Sequence, residues 1–212
     1  MSSKIARRGA EVGLAVSADL AGKLSTYLNL LGRWNRRINL TALSVDPPDE
    51  EAIDRLIVEP LAAARFVLES DLRAIDIGSG GGSPAVPLKV AVPALRYVLV
   101  EAKQRKAAFL REVIRELALE NVEIESRRFE EFAQSSQEHE GADLVTVRAV
   151  RLDEPMLDAT SRVMRPGARL FWFATREDDE VTPLAPLCRV GIEPLVSARN
   201  AYLSIALKIS GR

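Results

Sequence analysis

The stretch that decides the fold reads Ala74-Ile75-Asp76-Ile77-Gly78-Ser79-Gly80-Gly81-Gly82-Ser83-Pro84. An apolar run ends at an acidic residue, and a loop with four glycines then leads to Pro84, a residue type favoured in the first turn of a helix. This succession predicts a buried strand, a tight loop and a helix. Because glycine has no Cβ, the loop would let backbone N–H groups approach a ligand closely.

The residues around this loop narrow down its ligand. No Lys-Ser or Lys-Thr pair follows the glycines, which excludes a P-loop. The dinucleotide pattern fails from Gly78, because its last position is Ser83, and it is matched only weakly from Gly80. A carboxylate such as Asp76 at the strand end repels a pyrophosphate but suits a cationic cofactor. S-adenosylmethionine fits, since it carries a sulfonium, an α-ammonium and no phosphate.

A second acidic residue supports an adenosine-bearing cofactor. Glu101 ends the next apolar run, 23 residues after Gly78. At that separation its carboxylate can accept hydrogen bonds from both hydroxyls of a ribose. The glycine loop and Glu101 together predict a nucleoside site at the carboxyl ends of the first two strands.

Short apolar runs alternate with helical segments after Ser70, which is typical of an α/β sheet with crossovers. The predicted strands cover residues 72–77, 96–101, 122–126, 143–147, 169–174, 192–198 and 202–209. The predicted helices cover residues 84–90, 103–119, 153–164 and 183–190. About three residues join the last two strands, so we expect a hairpin and an antiparallel last strand.

The first third of the chain predicts helices and no strand. Apolar residues recur at three- and four-residue spacing over residues 17–39, which indicates an amphipathic helix with Ser17 as its N-cap. Pro47 and Pro48 end this helix, and a second helical stretch runs over about 49–68. We expect a helical N-terminal cap over residues 1–70 and an α/β domain over 71–212, packed as one compact unit.

Composition excludes several classes of protein. The 212 residues are 47% hydrophobic and 28% charged, which is typical of a globular chain. The single cysteine, Cys188, forms no intrachain disulfide or multi-cysteine metal site, and we predict that it lies in the core. The single histidine, His139, lies in a polar stretch that predicts a surface loop. With one cysteine and one histidine we expect no metal site. No apolar window approaches the ~18 residues of a membrane span, so we expect a cytoplasmic protein with no membrane partner.

The formal net charge of −1 hides an asymmetry. Residues 1–45 carry seven Lys and Arg against two acidic residues, a balance of +5, which leaves −6 for the rest of the chain. A basic segment on an acidic body fits contact with an anionic partner such as nucleic acid. It fits a solvated helix face equally well, and charge alone does not decide between them.

Three runs carry a resemblance to a known family. They are Trp34-Asn35-Arg36-Arg37-Ile38-Asn39-Leu40-Thr41, the glycine loop, and Glu120-Asn121-Val122-Glu123 followed by Arg128-Phe129-Glu130-Glu131-Phe132. In this order they resemble the bacterial glucose-inhibited division protein B family, the small-subunit ribosomal RNA guanine-N7 methyltransferases. The resemblance extends from about Ser17 to the end. It implies a Rossmann-like class I methyltransferase with a seven-stranded, mostly parallel sheet, S-adenosylmethionine as cofactor, and 16S ribosomal RNA or the small ribosomal subunit as partner.

The resemblance also implies the roles of individual residues. The glycine loop would contact the cofactor through its backbone at Gly78 and Ser83, Phe129 and Glu130 would face the adenine, and Arg148 would follow the fourth strand. The predicted cofactor site comprises Asp76, Gly78, Gly80, Ser83, Glu101, Phe129, Glu130 and Arg148. The predicted RNA contacts are Arg33, Arg36, Arg37, Lys103, Arg105 and Lys106.

No catalytic residue is expected, because the lone pair of guanine N7 attacks the methyl group directly and no proton has to leave first. Such an enzyme, here expected to be a monomer, works by alignment and by excluding water. Trp34 could stack an RNA base, but its place on the apolar stripe favours the core.

Two segments depart from the family pattern. Where Arg-His-x-x-Asp-Ser-Leu is usual, this chain has Arg55-Leu56-Ile57-Val58-Glu59-Pro60-Leu61, and Val147 replaces a serine directly ahead of Arg148. Three other functions therefore stay open at the level of sequence. They are a methyltransferase of the same fold that acts on a small molecule or protein, a non-catalytic adenosyl-ligand or RNA-binding module, and a nicotinamide-linked Rossmann protein.

Overall fold

The computed structural model describes residues 1–135, 141–175, 184–196 and 200–209. Within these ranges seven strands form one sheet in the order β3-β2-β1-β4-β5-β7-β6. The strands are β1 (Arg73–Ile77), β2 (Arg96–Val100), β3 (Val122–Glu125), β4 (Ala142–Arg148), β5 (Met164–Thr175), β6 (Cys188–Val196) and β7 (Ala201–Leu207). Strands β1 to β5 pair in parallel, and β7 runs antiparallel to both β5 and β6. The predicted sheet and its reversed last strand are confirmed.

Helices cover both faces of this sheet. In the described residues they are α1 (Ser2–Glu11), α2 (Ala18–Asn35), α3 (Glu50–Ile53), α4 (Glu59–Ala63), α5 (Ala85–Ala91), α6 (Gln104–Glu116), α7 (Phe129–Ser135) and α8 (Glu154–Val163). A π-helical turn, Asp54–Val58, joins α3 to α4, and a 3₁₀ turn, Ala64–Phe66, follows α4. One apolar cluster joins the cap helices, α5 and α6 to the sheet, and a second lies under α7 and α8.

The side chains of strand β1 lie alternately in these two clusters. Side chains alternate across a strand, so Ile75 and Ile77 pack into the α7–α8 cluster while Ala74 packs into the cap-side cluster. Asp76 shares the cap-side face with Ala74. The acidic residue of the fold-deciding stretch therefore points under the cap.

The helical cap begins where its capping residues predict. The Ser17 hydroxyl oxygen accepts a hydrogen bond from Leu20 N at 3.2 Å at the start of α2, which confirms the predicted N-cap. The Asp49 carboxylate caps α3 in the same way, accepting from Ala52 N at 2.7 Å. Helix α2 ends at Asn35, four residues before the predicted end. Helix α1 was not predicted.

The N-terminal cations do not form a free basic arm. The guanidinium of Arg8 pairs with Asp54, and Arg7 pairs with Glu50 at 2.9 Å. These contacts fasten α1 to the helices that follow it. The surplus of positive charge that is left for a partner therefore lies mainly around the C-terminus of α2.

Two predictions near the C-terminal part of the chain were wrong. Where a helix was predicted over 183–190, the described residues 184–190 form a turn followed by the start of β6. Cys188, predicted in the core, is exposed at the start of this edge strand. Helix α7 was not predicted. His139 lies outside the described residues.

Asn35 explains much of the Trp-Asn-x-x-x-Asn-Leu-Thr run. Its side-chain oxygen accepts hydrogen bonds from the backbone N–H groups of Leu40 at 2.9 Å and Thr41 at 3.0 Å. Its amide nitrogen donates to the Thr41 carbonyl at 3.1 Å. One side chain thus closes the turn that follows α2.

We predict that Asn35→Ala lowers the free energy of unfolding by about 1–3 kcal/mol, because three backbone groups lose their partner. Urea unfolding of the purified protein measures this change. Asn29→Ala, at an exposed position of the same helix, is the control and should change stability by less than about 0.5 kcal/mol. Equal effects of the two substitutions would contradict the structural role of Asn35.

Candidate active site

The glycine loop lies between β1 and α5 at the carboxyl edge of the sheet. Gly78, Gly80 and Gly82 have positive φ angles of 65°, 49° and 88°, a region that favours glycine. A Cβ atom on Gly78 would stand 2.9 Å from Val150 Cγ2, so this residue has no space for a side chain. Gly78 itself is exposed. The loop therefore offers bare backbone at the edge where open α/β sheets bind ligands.

The cap holds this loop from behind. The hydroxyl of Tyr27, on α2, donates to the Gly81 carbonyl at 2.6 Å. The hydroxyl of Ser83 donates to the Leu56 carbonyl, in the π-helical turn, at 3.0 Å. Ser83 therefore uses its side chain to anchor the loop, and its predicted backbone contact with a cofactor stays a prediction.

Glu101 follows β2 directly and fastens the same loop from the other side. Its Oε2 accepts from Gly80 N at 2.8 Å, and its Oε1 accepts from Lys103 N at 2.8 Å. The side chain is buried, yet each carboxylate oxygen has a second lone pair that can accept a further bond. The sequence did not reveal this loop-fastening role. The predicted contact with a ribose stays a prediction that the remaining acceptor sites permit.

Asp76 lies beneath the loop and is only 1% exposed. Its Oδ1 accepts a 2.6 Å hydrogen bond from Thr146 Oγ1, the residue opposite it in β4. Its Oδ2 has no hydrogen-bond partner in the described part of the chain. Burial raises the pKa of Asp76 to about 7, although the hydrogen bond from Thr146 and the charge of Arg148 oppose this rise.

The sequence suggested that Asp76 is an ionised carboxylate at the strand end, and this expectation is corrected. A buried carboxyl with a pKa near 7 exists in both forms at neutral pH. The predicted contact of Asp76 with a cofactor stays a prediction.

Arg148, predicted to follow the fourth strand, is the last residue of β4, and its guanidinium is bound by the cap. It forms an ion pair with Glu59 at 2.8 Å and donates to the Arg55 carbonyl. Its guanidinium carbon lies 4.6 Å from the ring centroid of Phe173. Burial lowers the pKa of Arg148 and raises that of Glu59, while each charge favours the ionised form of the other. The predicted contact of Arg148 with a cofactor stays a prediction.

The segment that departs from the family pattern supplies these partners. In the π-helical turn the N–H of Glu59 donates to the Asp54 carbonyl, and Pro60 has no N–H to donate. The Arg55 carbonyl accepts from Arg148 instead. The carboxylate of Glu59 forms an ion pair with the guanidinium of Arg148. The altered residues therefore build a buried support for the end of β4.

The two residues predicted to contact the adenine differ in how far they are buried. Phe129 is 5% exposed and packs its ring 6.2 Å from that of Phe132 in the α7–α8 cluster. Glu130, in the first turn of α7, is exposed. Most of the Phe129 ring therefore belongs to the core, and Glu130 is the more accessible of the pair.

A cleft of about 730 Å³ between α2 and α6, called here the α2–α6 cleft, unites most of the predicted RNA contacts. Its lining residues are Arg33, Trp34, Arg36, Arg37, Ile38, Arg105, Ala108 and Glu112. Lys103 is exposed at the N-cap of α6. Lys106 Nζ lies 3.8 Å from the position that a Cβ on Gly80 would take, and thus lies beside the glycine loop. Helix α6 therefore connects the cleft to the loop.

Trp34 lies between the core and this cleft. Its Nε1 donates to Glu112 Oε2 at 3.1 Å, and its ring meets Phe109 edge to face at 5.9 Å. The side chain is half-buried and packs against the cap-side cluster. The expectation that Trp34 belongs to the core is correct for one side of the ring, while the ring also lines the cleft.

Within the described ranges, no three side chains of His, Cys, Asp or Glu are grouped to hold a metal ion. The helices of these ranges include none that is long and apolar enough to cross a membrane.

The model of the family described as GidB, rRNA small subunit methyltransferase G, matches residues 21–190. The chain belongs to this family. Relatives named ribosomal RNA small subunit methyltransferase G include one from Xanthomonas campestris pv. campestris (strain 8004), 34% identical over 183 residues that cover 85% of this chain and 82% of the relative. Another, from Chloroflexus aggregans (strain MD-66 / DSM 9485), is 38% identical over 159 residues, or 74% of this chain and 65% of the relative.

Solved structures share the fold of this family member. A SAM-dependent methyltransferase from Aquifex aeolicus gives a TM-score of 0.58 at 14% identity, over 76% of this chain and 94% of the other. A SAM-dependent O-methyltransferase from Thermotoga maritima gives 0.55 at 20% identity, over 72% and 64%. The predicted family and the predicted Rossmann-like methyltransferase fold are confirmed.

We predict that the free energy of unfolding falls between about pH 4 and pH 7 because of Asp76. Its raised pKa means that the folded state binds the proton more tightly than the unfolded state, so stability is lost as pH rises and levels off above pH 7. Asp76→Asn should remove this loss, which amounts to at most about 4 kcal/mol.

Urea unfolding at pH 5 and pH 8 measures this difference. Asp158→Asn, at an exposed position of α8, is the control and should keep the pH dependence of the unaltered protein. If Asp76→Asn also keeps it, the buried carboxyl does not titrate as stated.

Proposed function

We propose that this chain transfers the methyl group of S-adenosylmethionine to N7 of a guanine in 16S ribosomal RNA of the small subunit. The observation that carries the proposal is the family match over residues 21–190, which includes the glycine loop and both helices of the α2–α6 cleft. We expect the enzyme to act as a monomer in the cytoplasm.

The residues at the carboxyl edge of the sheet fit the cofactor. Gly78 presents exposed backbone in a conformation that excludes a side chain. The Glu101 carboxylate has acceptor sites for a ribose, and the exposed Glu130 has them for an adenine amine. When bound, the cofactor supplies a methyl group on a sulfonium, which is already activated for transfer.

The contribution of the chain to the reaction is positional. Guanine N7 is unprotonated at neutral pH, so no side chain has to remove a proton before it attacks. The residues of the site therefore hold the two reactants in line and exclude water, which is worth several orders of magnitude in rate when the geometry is fixed. Arg148 and Glu59 support the end of β4 at this edge.

The α2–α6 cleft supports an RNA partner. Arg33, Arg36, Arg37 and Arg105 line one cavity, and Lys103 and Lys106 lie on the same end of α6. Arginine and lysine clusters of this kind bind phosphates and make affinity depend on salt. The cleft therefore fits a nucleic acid better than a small neutral substrate.

The proposed function is tested with small ribosomal subunits from bacteria that lack their own enzyme of this family. The purified protein and S-adenosylmethionine should add N7-methylguanosine to 16S RNA, as mass mapping would detect. We predict that Gly78→Ala lowers the rate at least tenfold, because its Cβ overlaps Val150. Gly13→Ala is the matched control, since Gly13 has a φ of 78° and open space around it. RNA that stays unmethylated by the unaltered protein would refute the proposed function.

We predict that replacing Arg36 and Arg37 together by Ala weakens RNA binding about tenfold and lowers the salt dependence of log K by one to two units. Arg37 should account for most of the loss, because Arg36 already pairs with Asp46 at 2.8 Å. Filter binding at several salt concentrations measures both quantities, and calorimetry should show unchanged affinity for S-adenosylmethionine.

The matched control removes two arginines elsewhere. Arg96→Ala with Arg115→Ala takes the same charge from exposed positions at the start of β2 and the end of α6. An equal loss of affinity in both double variants would show that net charge, and not the α2–α6 cleft, governs RNA binding.

A further inference from the structure

The α2–α6 cleft combines a charged rim with an apolar floor. Arg37 and Arg105 are exposed and make no ion pair with the residues that the structure describes. Trp34, Ile38 and Ala108 supply the apolar lining between them. The cleft is thus not a uniform basic surface of the kind that phosphates alone require.

Among the residues that the structure describes, Glu112 is the one acidic residue that lines the cleft. Its Oε2 accepts from Trp34 Nε1, and its Oε1 lies 3.6 Å from Arg33 Nη2. The side chain is 27% exposed, and its oxygens have lone pairs beyond these two contacts. A carboxylate repels phosphate but accepts hydrogen bonds from N–H groups. Its place beside an indole ring therefore suits the edge of a nucleobase.

We infer that the α2–α6 cleft binds one unstacked nucleotide of the RNA, with its phosphates at Arg37 and Arg105 and its base against Trp34 and Ile38. An exocyclic amine of that base donates to Glu112. The inference rests on the proposed function and adds to it a second place where a base is read. Aromatic side chains stack single-stranded bases in this manner, and a volume of about 730 Å³ is within the range of small-ligand sites.

The place of the cleft agrees with this role. Arg105 and Lys106 are neighbours in the first turn of α6, where Arg105 lines the cleft and Lys106 lies beside Gly80. The cleft and the cofactor loop therefore both lie beside the first turn of α6. A nucleotide held in the cleft would belong to the RNA segment that carries the methylated guanine.

The test compares two labelled single-stranded RNA hexamers, hexacytidylate and hexauridylate, by fluorescence anisotropy. Cytosine carries an exocyclic amine where uracil carries a carbonyl oxygen. The unaltered protein should bind hexacytidylate about 3- to 10-fold more tightly. Glu112→Gln should remove this preference, since an amide can accept from cytosine and donate to uracil. Glu116→Gln, one turn further along α6, is the matched control and should retain it.

The opposite result is well defined. On a surface that binds phosphates only, Glu112→Gln removes a repelling charge and tightens binding of both hexamers equally. That outcome, or equal affinities of the unaltered protein for the two hexamers, overturns the inference, and the second measurement does not depend on how well a variant folds. Methyl transfer to small subunits is measured on the same sample. Its absence overturns the proposed function, whereas its presence without a cytosine preference overturns only this inference.

Discussion

The site depends on the hydrogen bond between the Tyr27 hydroxyl and the Gly81 carbonyl, at 2.6 Å. A loop of glycines has no side chains with which to fix its own shape, and glycine loses more conformational freedom on folding than any other residue. The restraint therefore has to come from neighbouring elements. Tyr27 supplies it from α2, and Glu101 supplies it from the end of β2 through Gly80 N. The loop lies between these two hydrogen bonds, and it is exposed at Gly78.

The same dependence explains why the cap and the sheet share one core. Tyr27 is fully buried, and its apolar ring packs in the cluster that also contains the inner faces of α5 and α6. A buried hydroxyl needs a partner, and the loop carbonyl is that partner. Burial of the ring and the shape of the loop are therefore coupled: a shift of α2 would leave both the hydroxyl and the carbonyl without a bond.

Local patterns predicted the elements but not the contacts between distant residues. The strand–loop–helix of residues 74–84, the N-cap at Ser17 and the reversed last strand were each readable, because each depends on neighbours in sequence. The bond from Arg148 to the Arg55 carbonyl joins residues 93 positions apart, and no periodicity reports it. The departure of residues 55–61 from the family pattern was visible in the sequence, but its meaning as a support for Arg148 required the fold.

Burial accounts for the predictions about site residues that changed. Asp76 was interpreted from its position at a strand end, but the alternation of β1 turns its side chain under the cap, where burial raises its pKa. Phe129 was expected to face the adenine, which stays a prediction, and its ring lies mostly in the core. The sequence places both residues at the carboxyl edge of the sheet. The direction of each side chain depends on how the cap and the α7–α8 layer pack against the sheet.

Two helices fix the distance between the cofactor loop and the α2–α6 cleft. Helix α2 carries Tyr27 at the loop and Trp34 at the cleft, two turns further on. The N-cap residue of α6, Lys103, donates its backbone N–H to Glu101, and Glu112 on the same helix lines the other side of the cleft. An enzyme without a general base depends on alignment, and a misplacement of about 1 Å can cost two orders of magnitude in rate. In the proposed function, the two helices that contact both places hold the RNA and the methyl donor in register.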